Sequence, residues 1–225
     1  MNIGFHIVSS FHRPDPELVS LFRGVPVANI DDQMHRLYAM DPGIRPQNKT
    51  PLCGPAFTVK APAGDNLMFH KALDMAQEGD VLVISGIGSA ERAFSGEVMI
   101  HYAKFKKLGG FVIDGYIRDK DGTRKADFPV YSRGFTPNGP LKNGPGEINV
   151  PVSCGGQVVF PGDIIVGDQD GVIVIRPEYA EQVLEKALAL AAQEQKKFHE
   201  LDQGRNPLKR EWIEKALTTN ECSFS

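Results

Sequence analysis

Residues 79–119 read GDVLVISGIGSAERAFSGEVMIHYAKFKKLGGFVIDGYIRD. Gly79-Asp80 is a turn signal, and Val81 to Ser85 after it is a nearly all-apolar run. A short run of that kind predicts a strand buried on both faces. From Gly96 to Leu108 the spacing changes to three and four, with Val98, Tyr102 and Phe105 in step, which predicts a helix. Gly109-Gly110 stops it. Phe111-Val112-Ile113 is a second apolar strand, ending at Asp114-Gly115. Strand, helix and strand in that order predict a parallel pair with a right-handed crossover, the building block of an α/β fold.

The flanking sequence extends this unit. Upstream, Ala56 to Ala61 alternates as a strand, Gly64-Asp65-Asn66 is a turn or helix start, and Leu67 to Gln77 is periodic as a helix. Nearer the N-terminus, Asp15 can cap a helix carrying Leu18, Leu21 and Phe22. Asp31-Asp32 precedes a second expected helix with Met34, Leu37 and Tyr38. Downstream, Phe128 to Gly134 and Ile148 to Cys154 are β-like and flank a Gly/Pro-rich loop from Thr136 to Gly146, a place for partner contacts. Val158–Phe160, Ile164–Val166 and Val172–Ile175 are short strands joined by tight turns. Pro177 opens a long helix to about His199 with an apolar stripe of Val183, Leu184, Ala187, Leu188, Leu190 and Ala191. The expected organisation is one α/β domain over residues 1–200 and a polar C-terminal extension over 201–225. That extension is anchored through Trp212, Ile213 and Leu217 on a neighbouring subunit or on its own core.

Composition narrows the function. The chain has 225 residues, enough for one sizeable core, with 41% hydrophobic and 24% charged residues. Lys and Arg number 25 against 28 Asp and Glu, a formal charge of −3, so no basic excess exists to neutralise nucleic-acid phosphates. No long apolar run predicts a membrane span and no export leader is recognisable, so a reducing cytoplasm is expected. Three widely spaced cysteines, Cys53, Cys154 and Cys222, fit neither a disulfide framework nor a zinc site. The six histidines include no pair at metal-ligand spacing; His70, just after Gly64-Asp65-Asn66, has the best claim to lie near a site. Gly86-Ile87-Gly88-Ser89 is neither a dinucleotide fingerprint nor a nucleophile elbow.

The densest polar cluster is Gly96-Glu97 at a helix start together with Asp114 and Arg118-Asp119 beyond the next strand. In open α/β folds ligands gather beyond the C-terminal ends of strands. The free N–H groups of the Gly96 helix can hold a carboxylate or phosphate, and Arg118 can clamp the same anion. Asp119 is a hard oxygen ligand suited to Mg²⁺ or Mn²⁺. The alternative for these residues is a surface ion pair at Arg118-Asp119 and a glutamate that merely favours its helix start.

These residues, with Gly54-Pro55-Ala56-Phe57-Thr58-Val59 and the later Gly162-Asp163-Ile164-Ile165-Val166 and Asp168-Gln169-Asp170-Gly171-Val172, resemble the family of 4-hydroxy-4-methyl-2-oxoglutarate aldolases and the regulator of ribonuclease activity A, over about residues 18–195. The most specific element is an acid, twenty intervening residues and then Arg-Asp, here Glu97 and Arg118-Asp119. The resemblance implies a compact three-layer α/β/β fold likened to swivelling phosphohistidine domains, and homo-oligomers that are trimers or hexamers. It implies a divalent-metal lyase, most simply with Mg²⁺ and with Mn²⁺ as the alternative. Such a lyase releases pyruvate from 4-hydroxy-4-methyl-2-oxoglutarate or 4-carboxy-4-hydroxy-2-oxoadipate and decarboxylates oxaloacetate. By resemblance Gly96, Glu97, Val98 and Met99 line the 2-keto-acid site, Arg118 contacts the pyruvyl portion and Asp119 holds the metal. Glu97 or Asp114 orients the water that removes the hydroxyl proton. Asn66, Asp121 and, from a neighbouring subunit, Glu194 are more distant contributors. The family pattern has another acid after two intervening positions beyond Arg-Asp, whereas this chain has Gly122 there and its acid at Asp121. The alternative functions are a noncatalytic protein that binds and regulates a ribonuclease, and a related lyase for another 2-keto acid.

Overall fold

A computed structural model describes residues 3–86 and 92–223. In chain order the elements are β1 (Phe5–Ile7), α1 (Pro16–Leu21), α2 (Val27–Gln33), β2 (Arg45–Pro46), β3 (Leu52–Lys60), α3 (Leu67–Met75), β4 (Val81–Ser85), α4 (Glu97–Phe105), β5 (Gly110–Ile117) and α5 (Lys120–Lys125). There follow β6 (Val130–Phe135), β7 (Gly146–Ile148), β8 (Val152–Cys154), β9 (Gln157–Val159), β10 (Ile164–Gly167), β11 (Val172–Ile175), α6 (Ala180–Asp202) and α7 (Glu211–Thr219).

The parallel unit is present: β3, β4, β5 and β6 pair in parallel in that order, with α3 and α4 as crossovers. Period-two alternation then divides the core. Leu82, Ile84, Phe111 and Ile113 pack under α3 and α4 against Phe69 and Ile100. Val81, Val83 and Val112 face the opposite way, onto Val152, Ile165 and Val174 of a second β layer. Each such side chain contributes roughly 1.5–3 kcal/mol on full burial. Strand β3 belongs to both layers, since Leu52 to Pro55 pair antiparallel with β10 while Ala56 to Lys60 pair with β4. The outer face of β10 and β11 is covered by α1, α2 and the start of α6, through Phe22, Ile30 and Val183. The architecture is a compact three-layer α/β/β domain.

Several local expectations are corrected. Strand β5 does not end at Asp114; it continues to Ile117 through a register shift between Ile113 and Tyr116. The second N-terminal helix starts at Val27 after Pro26 and contains Asp31-Asp32, because His35 and Arg36 take left-handed backbone and end it before Tyr38. Ile148 to Cys154 is two strands in two sheets, broken at Asn149, whose φ is 56°. Asp15 does cap α1, accepting from the Glu17 N–H at 2.9 Å. No residue of α7 is buried: Trp212 is 67% exposed, while Ile213 and Leu217 are half-buried. No described helix is long and apolar enough to cross a membrane.

Candidate functional site around the start of helix α4

Helix α4 begins at a glycine, and Gly96 offers no side chain to cap the free N–H groups of the first turn. The cap arrives from elsewhere: Asp119 Oδ2 accepts from the Glu97 N–H at 3.0 Å. Arg118 is tied to the same turn, its N–H donating to Ser95 O at 2.9 Å. Two backbone features make this approach possible. A Cβ at position 96 would collide with the Asp119 carboxylate and the Arg118 side chain, so only glycine admits them. Asp119 itself sits in left-handed backbone at φ 62°, a conformation that costs a non-glycine residue about 1 kcal/mol or more and is typical of functional positions. Arg118 Nε lies 3.6 Å from Asp119 Oδ2, and both side chains remain about half exposed.

Arg118 stands between two cavities of about 350 Å³ each. One lies along Asp119, Lys120 and Thr136. The other is bounded by Asn66, His70, Ser95, Met99 and Lys142 besides Arg118. In its wall, Asn66 and Ser95 are each 2% exposed, yet Asn66 Oδ1 and Ser95 Oγ have no hydrogen-bond partner among the described residues. Unpaired buried polar atoms are costly, and a polar ligand would satisfy them. Two larger cavities, of about 530 and 520 Å³, lie away from this cluster. The smaller pair carries the anchored arginine, the open helix start and the orphaned atoms, which outweigh size.

The Gly/Pro loop closes the second cavity. Asp65, 3% exposed, accepts from the N–H groups of Asn143 at 2.7 Å, Gly144 at 3.0 Å and Leu67 at 2.9 Å. The loop also exchanges backbone bonds with the turn before α3, Leu141 N–H to Gly64 O and Asn66 N–H to Leu141 O, both 2.9 Å. Gly139 packs beside the Arg118 guanidinium. Partial burial holds the His70 imidazole below the usual histidine range; the Lys142 ammonium adds to that and Asp74 opposes it.

The remaining expected residues fall as follows. Glu97 is half exposed, with Oε1 3.7 Å from His101 Nε2, and its carboxylate occupies the space that a side chain at position 122 would need. Val98 is 80% exposed at the cavity rim, and Met99 is buried with its sulfur 3.6 Å from Asn66 Nδ2. Asp121 is exposed in the first turn of α5. Asp114 is not brought to this pocket: its oxygens accept from Arg133 Nε and from the Gly155 N–H, tying β5 to β6 and to the β8–β9 turn. Glu194 on α6 accepts from Asn29 Nδ2 at 2.7 Å within the same chain. Gly86 to Ser89 runs into residues outside the described ones. Sequence reasoning missed Ser95, Asp65 and Lys142, because nothing local distinguishes a loop lysine or a turn aspartate until the loop is folded against α3.

A divalent cation fits this donor set in one form only. Among the described residues no group of three His, Cys, Asp or Glu side chains forms a ligand cage. Mg²⁺ commonly takes one or two carboxylates and keeps several waters, and Asp119, with Glu97 beside it, supplies hard oxygens of that kind. A structural zinc site is not supported by such a set.

The RraA-like family model, described as Aldolase/RraA, matches residues 27–174. A provisionally named 4-hydroxy-4-methyl-2-oxoglutarate aldolase of Halalkalibacterium halodurans is 42% identical over 172 residues, covering 76% of this chain and 82% of that protein. Among solved structures, a Streptomyces coelicolor protein described as an unusual member of the RNase ES inhibitor RraA family superposes with a TM-score of 0.74. It is 30% identical, over 83% of this chain and 98% of that one. The RNA-processing inhibitor RraA from Thermus thermophilis gives a TM-score of 0.62 at 26% identity, over 67% of this chain and 92% of its own. The three-layer fold, the matched segment and the identity to these relatives together place the chain in the RraA-like family.

Proposed function

We propose that the protein is a divalent-metal-dependent lyase that cleaves 4-hydroxy-4-methyl-2-oxoglutarate or 4-carboxy-4-hydroxy-2-oxoadipate to pyruvate and a second oxo acid, and that decarboxylates oxaloacetate. The observation that carries this reading is the convergence of Arg118 and Asp119 on the glycine start of α4, beside a cavity with orphaned polar atoms. Retro-aldol cleavage breaks the C3–C4 bond as the C4 hydroxyl loses its proton, and the electron pair moves onto the C2 oxygen. Asp119, with Glu97 beside it, would hold Mg²⁺ or Mn²⁺, which supplies positive charge against that developing oxyanion. Arg118 clamps the 2-oxo carboxylate through its planar fork. The N–H groups of α4 not used by Asp119 favour the same negative charge. Glu97, half exposed at the helix start, takes up the hydroxyl proton through water and returns it to C3. The proton route through Glu97 and the metal position on Asp119 are assignments of this reading.

The exposed Val98, Tyr102 and Phe105 on one face of α4 support a homo-oligomer, trimer or hexamer, formed next to the site. A second reading, a protein that binds and regulates a ribonuclease, is supported by the two structural neighbours so described. Pyruvate release from 4-hydroxy-4-methyl-2-oxoglutarate and from oxaloacetate, with Mg²⁺ and with EDTA, separates the two. The lyase reading expects metal-dependent release that Asp119→Ala reduces at least about a hundredfold, the scale of losing a principal catalytic interaction. Folded wild-type protein that releases no pyruvate from either compound with Mg²⁺ or Mn²⁺ overturns it.

A further inference from the structure

The cavity between Asn66 and Lys142 has a one-sided charge. Arg118 and Lys142 both line it and no carboxylate does. Arg118 is held in place by its own backbone bond to Ser95 and by the packing of Gly139 beside its guanidinium. Lys142 is carried by a loop whose next two N–H groups are bound to the buried carboxylate of Asp65. The lysine has no ion-pair partner among the described residues, while the pocket wall holds the two unsatisfied polar atoms of Asn66 and Ser95. Arg118 has the Asp119 carboxylate 3.6 Å from its Nε, whereas Lys142 has no carboxylate paired with it among the described residues, so its charge is left to attract an anion in the cavity. If Arg118 takes the carboxylate next to the oxo group, Lys142 is left for a second one.

We infer that Lys142 is a specificity residue: it recognises the carboxylate at the far end of a 2-oxo dicarboxylate and selects such dianions over 2-oxo monocarboxylates of equal length. This assignment rests on the 2-oxo-acid reading above, and adds to it the residue that reads the distal end of the substrate. His70, beside Lys142, stays neutral near pH 7 and leaves the lysine as the cation at that end.

The test is calorimetric binding to the full chain with Mg²⁺, using two unreactive five-carbon ligands that differ only at C5. These are 2-oxoglutarate, with a second carboxylate, and 2-oxopentanoate, with a methyl group. Wild-type protein should prefer 2-oxoglutarate by about tenfold or more, the scale of one charge-assisted contact. Lys142→Gln should remove most of that preference by weakening 2-oxoglutarate alone, leaving 2-oxopentanoate within about twofold; Lys142→Arg should restore part of it. A preference that survives Lys142→Gln, or equal affinities in the wild type, overturns the assignment to Lys142 while leaving the 2-oxo-acid reading standing. Binding of neither ligand by folded wild-type protein overturns both.

Discussion

The loop from Thr136 to Gly146 and the arm from Leu201 onward are both polar, but the loop is rich in glycine and proline while the arm carries Trp212, Ile213, Ala216 and Leu217 at helical spacing. In the folded chain they differ completely. The loop is bound to the buried Asp65 carboxylate and to the turn before α3, and it forms a wall of the candidate pocket. The arm carries α7 with no buried residue, and Leu201, Leu208 and Trp212 are all exposed along its length. Glycine and proline content therefore says little about order. What holds a segment is the burial of its backbone partners, and a nine-residue helix without burial is marginal by itself.

The largest effect expected from that contrast is in hydrogen exchange. The amides of Asn143 and Gly144 should exchange at least about a hundredfold more slowly than those of α7, since the former open only with the domain. Equal protection would mean that the arm is covered, as it would be by another copy of the chain. Asp65→Ala removes one acceptor of three N–H groups, and should cost about 3 kcal/mol or more in denaturant unfolding together with the loss of 2-oxo-acid binding. Unchanged stability would show that the loop holds its shape unaided. A smaller effect concerns pH. Burial holds His70 below its ordinary value of 6.5, so the unfolded chain takes up its proton first as pH falls. That part of the stability is present above pH 6.5 and is lost as pH drops through the lower folded value; His70→Asn should flatten this slope, and an unaltered slope would place its origin elsewhere. The smallest effect is expected for a chain ending at Gly204, whose stability should lie within about 0.5 kcal/mol of the full chain. A concentration-dependent drop in its melting temperature would show that the arm binds a neighbouring copy.

Much of the pocket was visible before folding. Gly96 and Arg118-Asp119 stand at the start of a helix and the end of a strand, where local pattern and the α/β rule lead one to expect an anion site. The resemblance pointed to the same residues. Asp114 was read as a member of the site because its strand was expected to end there; the bulge that carries β5 on to Ile117 turns that carboxylate toward Arg133 and Gly155 instead. Gly122 read as a missing acid. Its reason is steric, since the Glu97 carboxylate fills the space above it.

The sequence by itself determined the parallel strand order around β4 and β5, because the apolar periods of two and near four are local and dominate the energy of burial. It also determined that an arginine and an aspartate follow the second strand. Only the tertiary structure decided that Asp119 caps α4, that Asp65 pins a loop 78 and 79 residues away, and that Lys142 and His70 come to share a cavity with Arg118. Those contacts join groups distant in sequence, and they form because buried N–H groups and carboxylates must find partners once the sheet has placed them together.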